Sequence, residues 1–288
     1  MIFFEGLKTN YPITYELLPP RGCNVDYLEP IKQIEGHLAG VTITDNPMAT
    51  MRISPIVYGS YIKEKLKVPI IPNLSCRDRN LLALQSELLG AHMLGFRDVF
   101  VITGDTPKKK ENFKGVWEVH SNDLCRIIKG LNNGSAEDKG SKRKTETSTE
   151  FSVGGAIVIN RPKEADYFNL KVENGFDFFI TQITFEAQSV IDFLSNIPTY
   201  ERPPIQVGLA PISSVKRLKV ISKMPGINVP EKIKKRVSSS EDFESALISE
   251  LAEVADRLRY DTSYPLGFHI MPIGSDELGC RLAKELIK

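Results

Sequence analysis

Five short apolar runs along the chain each close on a polar residue. They cover residues 12–16, 40–44, 97–105, 152–160 and 177–182, and they end on Glu16, Thr44, Asp105, Asn160 and Gln182. A run that is apolar at consecutive rather than alternate positions predicts a strand buried on both faces, as in a parallel sheet covered by helices. Extending the same reading gives eight candidate strands, at residues 12–17, 40–44, 68–74, 97–103, 152–159, 177–183, 204–210 and 266–273. Helical periodicity fills most of the intervals. Over residues 79–94, Leu82, Leu89 and Met93 recur at helical spacing and predict a core-facing stripe. Over residues 241–258, Phe243, Leu247, Leu251 and Leu258 do the same, with Ser238, Ser239 and Ser240 as candidate N-caps.

Strands alternating with helices predict an α/β fold. Eight of them predict a single (β/α)8 barrel over residues 1–288, in preference to an open doubly wound sheet. In such a barrel the site is built from the loops that follow the strands. Glu16, Thr44, Asp105 and Gln182 all stand at predicted C-terminal strand ends, so one candidate site emerges. Residues 132–150 break the pattern. Their one apolar residue is Ala136, among Gly, Ser, Thr and charged side chains, and they predict a mobile surface loop.

Composition narrows the function. The chain has 37 basic and 36 acidic residues, for a net charge of +1, which argues against a nucleic-acid partner. Cys23, Cys76, Cys125 and Cys280 are scattered without metal-ligand spacing, which predicts reduced thiols and no metal. No signal peptide and no run of ~20 apolar residues is visible, which predicts a cytoplasmic protein without a membrane partner.

Several motifs add a resemblance. Tyr15-Glu-Leu-Leu-Pro-Pro-Arg-Gly22, Thr44-Asp-Asn-Pro47 with Met51-Arg-Ile-Ser-Pro55, and Cys76-Arg-Asp-Arg-Asn80 come first. Thr103-Gly-Asp-Thr-Pro107, Asp177-Phe-Phe-Ile-Thr-Gln182 and Gly267-Phe-His-Ile-Met-Pro272 follow. Together and in this order they resemble the 5,10-methylenetetrahydrofolate reductase family, most of all its branch fused to homocysteine methyltransferase domains. The resemblance implies a (β/α)8 barrel that reduces a pterin-bound methylene group to methyl with a flavin. The flavin implied is FAD, with FMN as the alternative, and NADH or NADPH is the implied electron donor. The substrate implied is of the tetrahydrofolate or tetrahydromethanopterin type. A homo-oligomer, and an electron-transfer or zinc-protein partner subunit, also belong to what the resemblance implies.

The resemblance assigns roles. Glu16 becomes the acid that protonates a pterin nitrogen, for which burial or nearby negative charge must hold its proton at neutral pH. Asp105 becomes a second catalytic residue that accepts bonds from the pterin ring, with its charge raising the Glu16 pKa, and Gly104 lets the backbone approach a ligand closely. Gln182, with a donor and an acceptor on one planar amide, becomes a substrate ligand. Thr44, Asn73, Thr103, Gly104, Asp105, Asn160 and Lys171 fall at flavin-binding positions, Lys171 toward the phosphates. The chain departs from the folate enzymes at Thr103, where they carry Arg, and at Asn160-Arg161-Pro162, where they carry a Tyr-Pro and His-Pro pattern. No Gly-x-Gly-x-x-Gly fingerprint is present, so a nicotinamide would bind without a Rossmann fold. Two other readings compete: a pterin-binding barrel without redox chemistry, acting in methyl transfer or as a scaffold, and a barrel lyase. The lyase would want a Schiff-base lysine at a strand end, and no predicted strand ends on Lys.

Overall fold

A computed structural model describes residues 3–6, 11–25, 28–106, 113–138, 141–197 and 202–288. Pro107 of the fourth motif and residues 139–140 of the polar segment lie outside the described residues. Eight parallel strands form a closed barrel: β1 (Ile13–Leu17), β2 (Leu38–Ile43), β3 (Ile70–Ser75), β4 (Asp98–Ile102), β7 (Ser152–Ile157), β8 (Phe178–Ile183), β9 (Ile205–Leu209) and β10 (Leu266–Ile270). β1 closes the ring by pairing with both β2 and β10, with Thr14 opposite His269 and Glu16 opposite Thr42. Helices lie between the strands, so this is the (β/α)8 barrel expected from the apolar runs. No helix among the described residues is long and apolar enough to cross a membrane.

Alternation along each strand sorts side chains into two cores. Ile13, Tyr15 and Leu17 of β1 face outward into the large core between sheet and helices, which holds most of the buried apolar residues. The barrel interior holds a smaller core of Phe3, Ile71, Phe100, Phe178 and Ile180. Phe3 comes from before the first strand. It enters at the strands' N-terminal ends, donates its backbone N–H to Asp98 Oδ2 at 3.1 Å, and packs edge-on against Phe178 at 5.0 Å between centroids. Glycine at position 40 leaves room for that ring, since a Cβ there would stand 2.2 Å from it.

Three expectations need correction. The polar segment at 132–150 is not structureless: β5 (Ser135–Asp138) pairs antiparallel with β6 (Ser141–Lys144), and the segment is tied down at its end. Asn132 Oδ1 accepts from Thr149 Oγ1 at 2.7 Å and from the Phe151 N–H at 2.9 Å, so side-chain hydrogen bonds supply what apolar burial does not. The helix Leu81–Met93 forms, capped by Asn80 Oδ1 accepting from Ala83 N at 2.9 Å, but it is turned relative to the predicted stripe. Leu82, Leu89 and Met93 are exposed, while Leu84, Leu88 and Ala91 are buried. Both sets satisfy helical spacing, and the larger buried set of neighbours decides. The helix Phe243–Asp261 does bury Leu247, Leu251 and Leu258, but its N-cap is Asp242, whose carboxylate accepts from Ser245 N at 3.0 Å, rather than one of the serines.

Candidate active site

Above the inner core, at the C-terminal ends of the strands, the barrel opens into a cavity of about 490 Å³. Phe100, Ile102, Ala156, Ile180, Met224 and Met271 give it apolar floor and walls, among which polar and charged side chains are set. Glu16, Thr44, Asn73, Gly104, Asp105 and Gln182 all line it. Strand ends from across the sequence thus converge, as the closure of the barrel requires.

Glu16 points inward from β1. No hydrogen bond or ion pair reaches its carboxyl from the described residues, and loss of water around it pushes its pKa up to about 7. Contrary to the sequence expectation, the charge of Asp105 is not part of this shift; burial alone produces it. A carboxyl without partners in an apolar cavity keeps its proton near neutral pH and can give it away there.

Asp105 is exposed at the rim, and its Oδ2 accepts from the Met48 backbone N–H at 2.8 Å. It is placed by Gly104, whose φ of +93° is left-handed and where a Cβ would stand 2.3 Å from Ser75 Oγ. Across the mouth, Gln182 Oε1 accepts from the Ile183 N–H at 2.9 Å, and its Nε2 has no partner among the described residues. Thr44 Oγ1 and Asn73 Oδ1 are buried without a hydrogen-bond partner among the described residues. Orphaned buried polar atoms are uncommon in folded proteins, and here two face one cavity.

Three predicted ligands are not brought to it. Thr103 follows β4 with its side chain turned to the following helix, where Oγ1 accepts from the Ser121 N–H at 3.4 Å. Asn160 Nδ2 donates to the Gly226 carbonyl at 3.4 Å, and the residue lines a separate groove beside the helix Glu164–Glu173. Lys171 donates from Nζ to the Ala156 carbonyl of β7, and burial pushes its pKa down to about 8. A single lysine in a helix carries no sequence signal for the direction it faces, and here it backs the barrel wall from outside.

Other groups of the cavity were not singled out from sequence. His269 is 1% exposed in the middle of β10, with Nδ1 2.7 Å from Thr14 Oγ1 and Nε2 3.5 Å from Thr42 Oγ1. Burial pushes its pKa down to about 3, so it is a neutral imidazole. Gln206 lies beside it, its Oε1 3.4 Å from Thr14 Oγ1. Thr14, Gln206 and His269 form a polar layer between the apolar base and the cavity. A polar residue at the middle of an otherwise apolar strand is the signal that could have found them. Around the rim, Arg77 is paired with Asp78 at 2.6 Å and Arg79 with Asp45 at 2.6 Å. No group of three or more His, Cys, Asp or Glu that could hold a metal occurs among the described residues.

The donor set suits a planar heteroaromatic ring: apolar faces to sandwich it, and orphaned Thr44 Oγ1, Asn73 Oδ1 and Gln182 Nε2 at its polar edge. A flavin ring fits that description, although Lys171 gives no contact for its phosphates.

Comparison with known proteins agrees with this architecture. The family described as methylenetetrahydrofolate reductase matches residues 5–278. A Schizosaccharomyces pombe protein named methylenetetrahydrofolate reductase 2 is 25% identical over 212 residues, covering 67% of this chain but 31% of its own length. The chain therefore spans less than a third of that relative. A Buchnera aphidicola protein named 5,10-methylenetetrahydrofolate reductase is 23% identical over 79% of this chain and 74% of its own. Among solved structures, a Clostridium thermocellum protein described as binding two copies of 5-methyl-5,6,7,8-tetrahydrofolic acid superposes with a TM-score of 0.69 at 20% identity. The superposition covers 98% of this chain and 97% of that one.

Proposed function

From the chain's membership of the methylenetetrahydrofolate reductase family over residues 5–278, we propose that it reduces the methylene bridge of a 5,10-methylene-tetrahydropterin to a 5-methyl group. The observation that carries the reading is Glu16, a carboxyl in the cavity with no partner among the described residues and its pKa raised to about 7.

Reduction of the bridge needs a proton on one of its two nitrogens, so that the carbon opens to an electrophile, and then a hydride at that carbon. Glu16 donates the proton. Asp105 and Gln182 hold the pterin ring by its edge, with the carboxylate accepting from ring N–H groups and the amide N–H donating to ring nitrogen or carbonyl. The apolar floor excludes water, which strengthens each of these bonds. Thr44 and Asn73 would hold the ring of a flavin, which when bound would supply hydride chemistry. FAD is favoured over FMN by the family resemblance, as is NADH or NADPH as donor, and tetrahydrofolate is favoured over a tetrahydromethanopterin-type carrier. From the Thr103-Gly104-Asp105 run we infer a resemblance to the branch fused to homocysteine methyltransferase domains.

One observation favours a second reading. Thr103, Asn160 and Lys171 all turn away from the cavity, so contacts expected for a flavin's outer half are missing. The chain would then bind a methyl-pterin without redox chemistry, and the structural neighbour is described as binding 5-methyltetrahydrofolic acid. The absorption spectrum of the purified protein separates the two. A flavin spectrum that bleaches when 5-methyltetrahydrofolate is added anaerobically supports the reductase. A colourless protein that binds 5-methyltetrahydrofolate and gains no activity with added FAD or FMN supports the second reading.

A further inference from the structure

Four arginines stand at or beside the cavity rim, and they divide into two kinds. Arg77 is fully engaged: its Nε and Nη2 each donate to Asp78 at 2.6 Å, and its side chain is 1% exposed. Arg79 is held between Asp45 at 2.6 Å and Glu87 at 2.7 Å. These two are structural cations, neutralised where they sit. Arg21 and Arg52 also line the cavity, yet neither makes an ion pair with any described residue.

Arg52 is nevertheless fixed in place. Its Nη1 donates to the Pro19 carbonyl at 2.6 Å, and its backbone N–H donates to Asn46 Oδ1 at 2.8 Å. The Ile53 N–H donates to the Pro20 carbonyl at 3.2 Å, so the rigid Pro19-Pro20 turn that carries Arg21 is bound to the segment that carries Arg52. With Nη1 committed to a carbonyl, Arg52 Nε is buried without a hydrogen-bond partner. The guanidinium pKa is lowered, first by burial and then by the charge of Arg21, and no acidic group acts on it. Arg21, itself exposed, thus adds a like charge beside an orphaned N–H donor, and an anion between them would relieve both.

We propose that Arg21 and Arg52 form an oxyanion subsite on the rim of the cavity, distinct from the groups that hold the ring. Its ligand is a carboxylate of the substrate's tail or a phosphate of a nucleotide, and the fork of a guanidinium suits either. The identity of the ligand rests on the proposed function; the existence of the subsite does not. The subsite would orient the ligand by its charged end, and Arg52 would gain its missing acceptor.

The test is equilibrium binding to the full chain, comparing wild type with Arg52→Gln, Arg21→Gln and Arg52→Lys. The probes are 5-methyltetrahydrofolate, a tail-less 5-methyltetrahydropterin and inorganic pyrophosphate. Loss of charge-assisted bonds to one oxyanion should raise Kd roughly tenfold to a hundredfold. If the ligand group is the tail carboxylate, both Gln variants weaken 5-methyltetrahydrofolate by that factor and leave the tail-less pterin within about twofold. Arg52→Lys falls between, because it keeps the charge and loses the fork. If the group is a phosphate, the loss is confined to pyrophosphate. Unchanged binding of both anions in both Gln variants overturns the proposal, as does an equal loss for the tail-less pterin. A wild-type protein that binds neither pterin sinks the functional reading instead, while pyrophosphate still reports on the arginines.

Discussion

Met48 and Asp105 meet at the cavity mouth, where the Met48 backbone N–H donates to Asp105 Oδ2 at 2.8 Å. The loop that Met48 belongs to is strained: Asn46, Met48 and Ala49 have φ of 43°, 54° and 54°, in the left-handed region. Such residues persist only where their surroundings hold them. The Asp105 carboxylate is thus both an anchor of this loop and a candidate acceptor for substrate. Asp105→Ala should speed amide exchange at residues 46–51 and weaken methyl-pterin binding about tenfold. Global stability should change by ~1 kcal/mol or less, because the carboxylate is exposed. Unaltered protection of the Met48 amide would show that the contact does not hold the loop.

Glu16→Gln keeps the size of the side chain and removes the acid. General acid catalysis is typically worth ~10²–10⁴-fold, and methylene reduction should fall by that factor. Reduction of the flavin by its donor delivers no proton to the pterin and should be nearly unchanged, as should flavin content. Stopped-flow absorbance follows the two half-reactions separately. Equal losses in both would mean a damaged flavin site, and an unimpaired pterin half-reaction would remove Glu16 from the role.

Half-buried Glu16 and buried His269 give stability opposite pH dependences. Glu16 has its folded pKa raised from 4.5 to about 7, so the folded state holds the proton more tightly and stability is lost as pH rises between those values. His269 has its folded pKa lowered from 6.5 to about 3, so stability is lost as pH falls through that interval. Urea denaturation against pH should show a maximum between ~pH 5 and 6.5. Glu16→Gln should flatten the alkaline side, gaining ~1–3 kcal/mol over wild type at pH 8 and nothing at pH 4. His269→Asn should flatten the acid side. The reductive step should also slow above pH 7, approaching tenfold per unit, as Glu16 loses its proton.

Gly104→Ala combines a left-handed backbone with a Cβ 2.3 Å from Ser75 Oγ and 2.8 Å from Arg77 Cβ. The backbone alone is worth ~1–2 kcal/mol, and the contact with Arg77 adds to it because that side chain is buried and fully bonded. We expect a loss of ~2 kcal/mol or more by calorimetry or urea denaturation, with Asp105 displaced. A thermally normal variant would mean that β4 can shift.

The barrel was legible because strands buried on both faces are apolar at consecutive positions, which few other elements imitate. Glu16, Asp105 and Gln182 were legible because each interrupts such a run at its end. What failed was direction. Leu82, Leu89 and Met93 fit a helical stripe as well as Leu84, Leu88 and Ala91 do, and the surrounding chain, which local spacing does not encode, chose the second set. Lys171 is spent on the Ala156 carbonyl at the outside of the barrel wall, and Thr103 turns to the following helix, so neither reaches the cavity. The hairpin within residues 132–150 was hidden because its end is held by Asn132 and Thr149 rather than by apolar burial. His269 escaped notice because its partners, Thr14 and Thr42, lie on strands far away in sequence.

Phe3 has a consequence for how the protein is made. It is made well before the groups that hold it: its backbone partner Asp98 is 95 residues further on, and Phe178, the ring it packs against, follows later still. Until then Phe3 has nowhere to go. A nascent chain must keep this segment unassociated until Phe178 has been made, so seating it follows synthesis of that strand. Contacts of such separation slow folding and prolong exposure of the apolar surface they will cover. Ile71, Phe100 and Phe178 at the base of the barrel therefore form the surface that a chaperone would find on an incomplete chain.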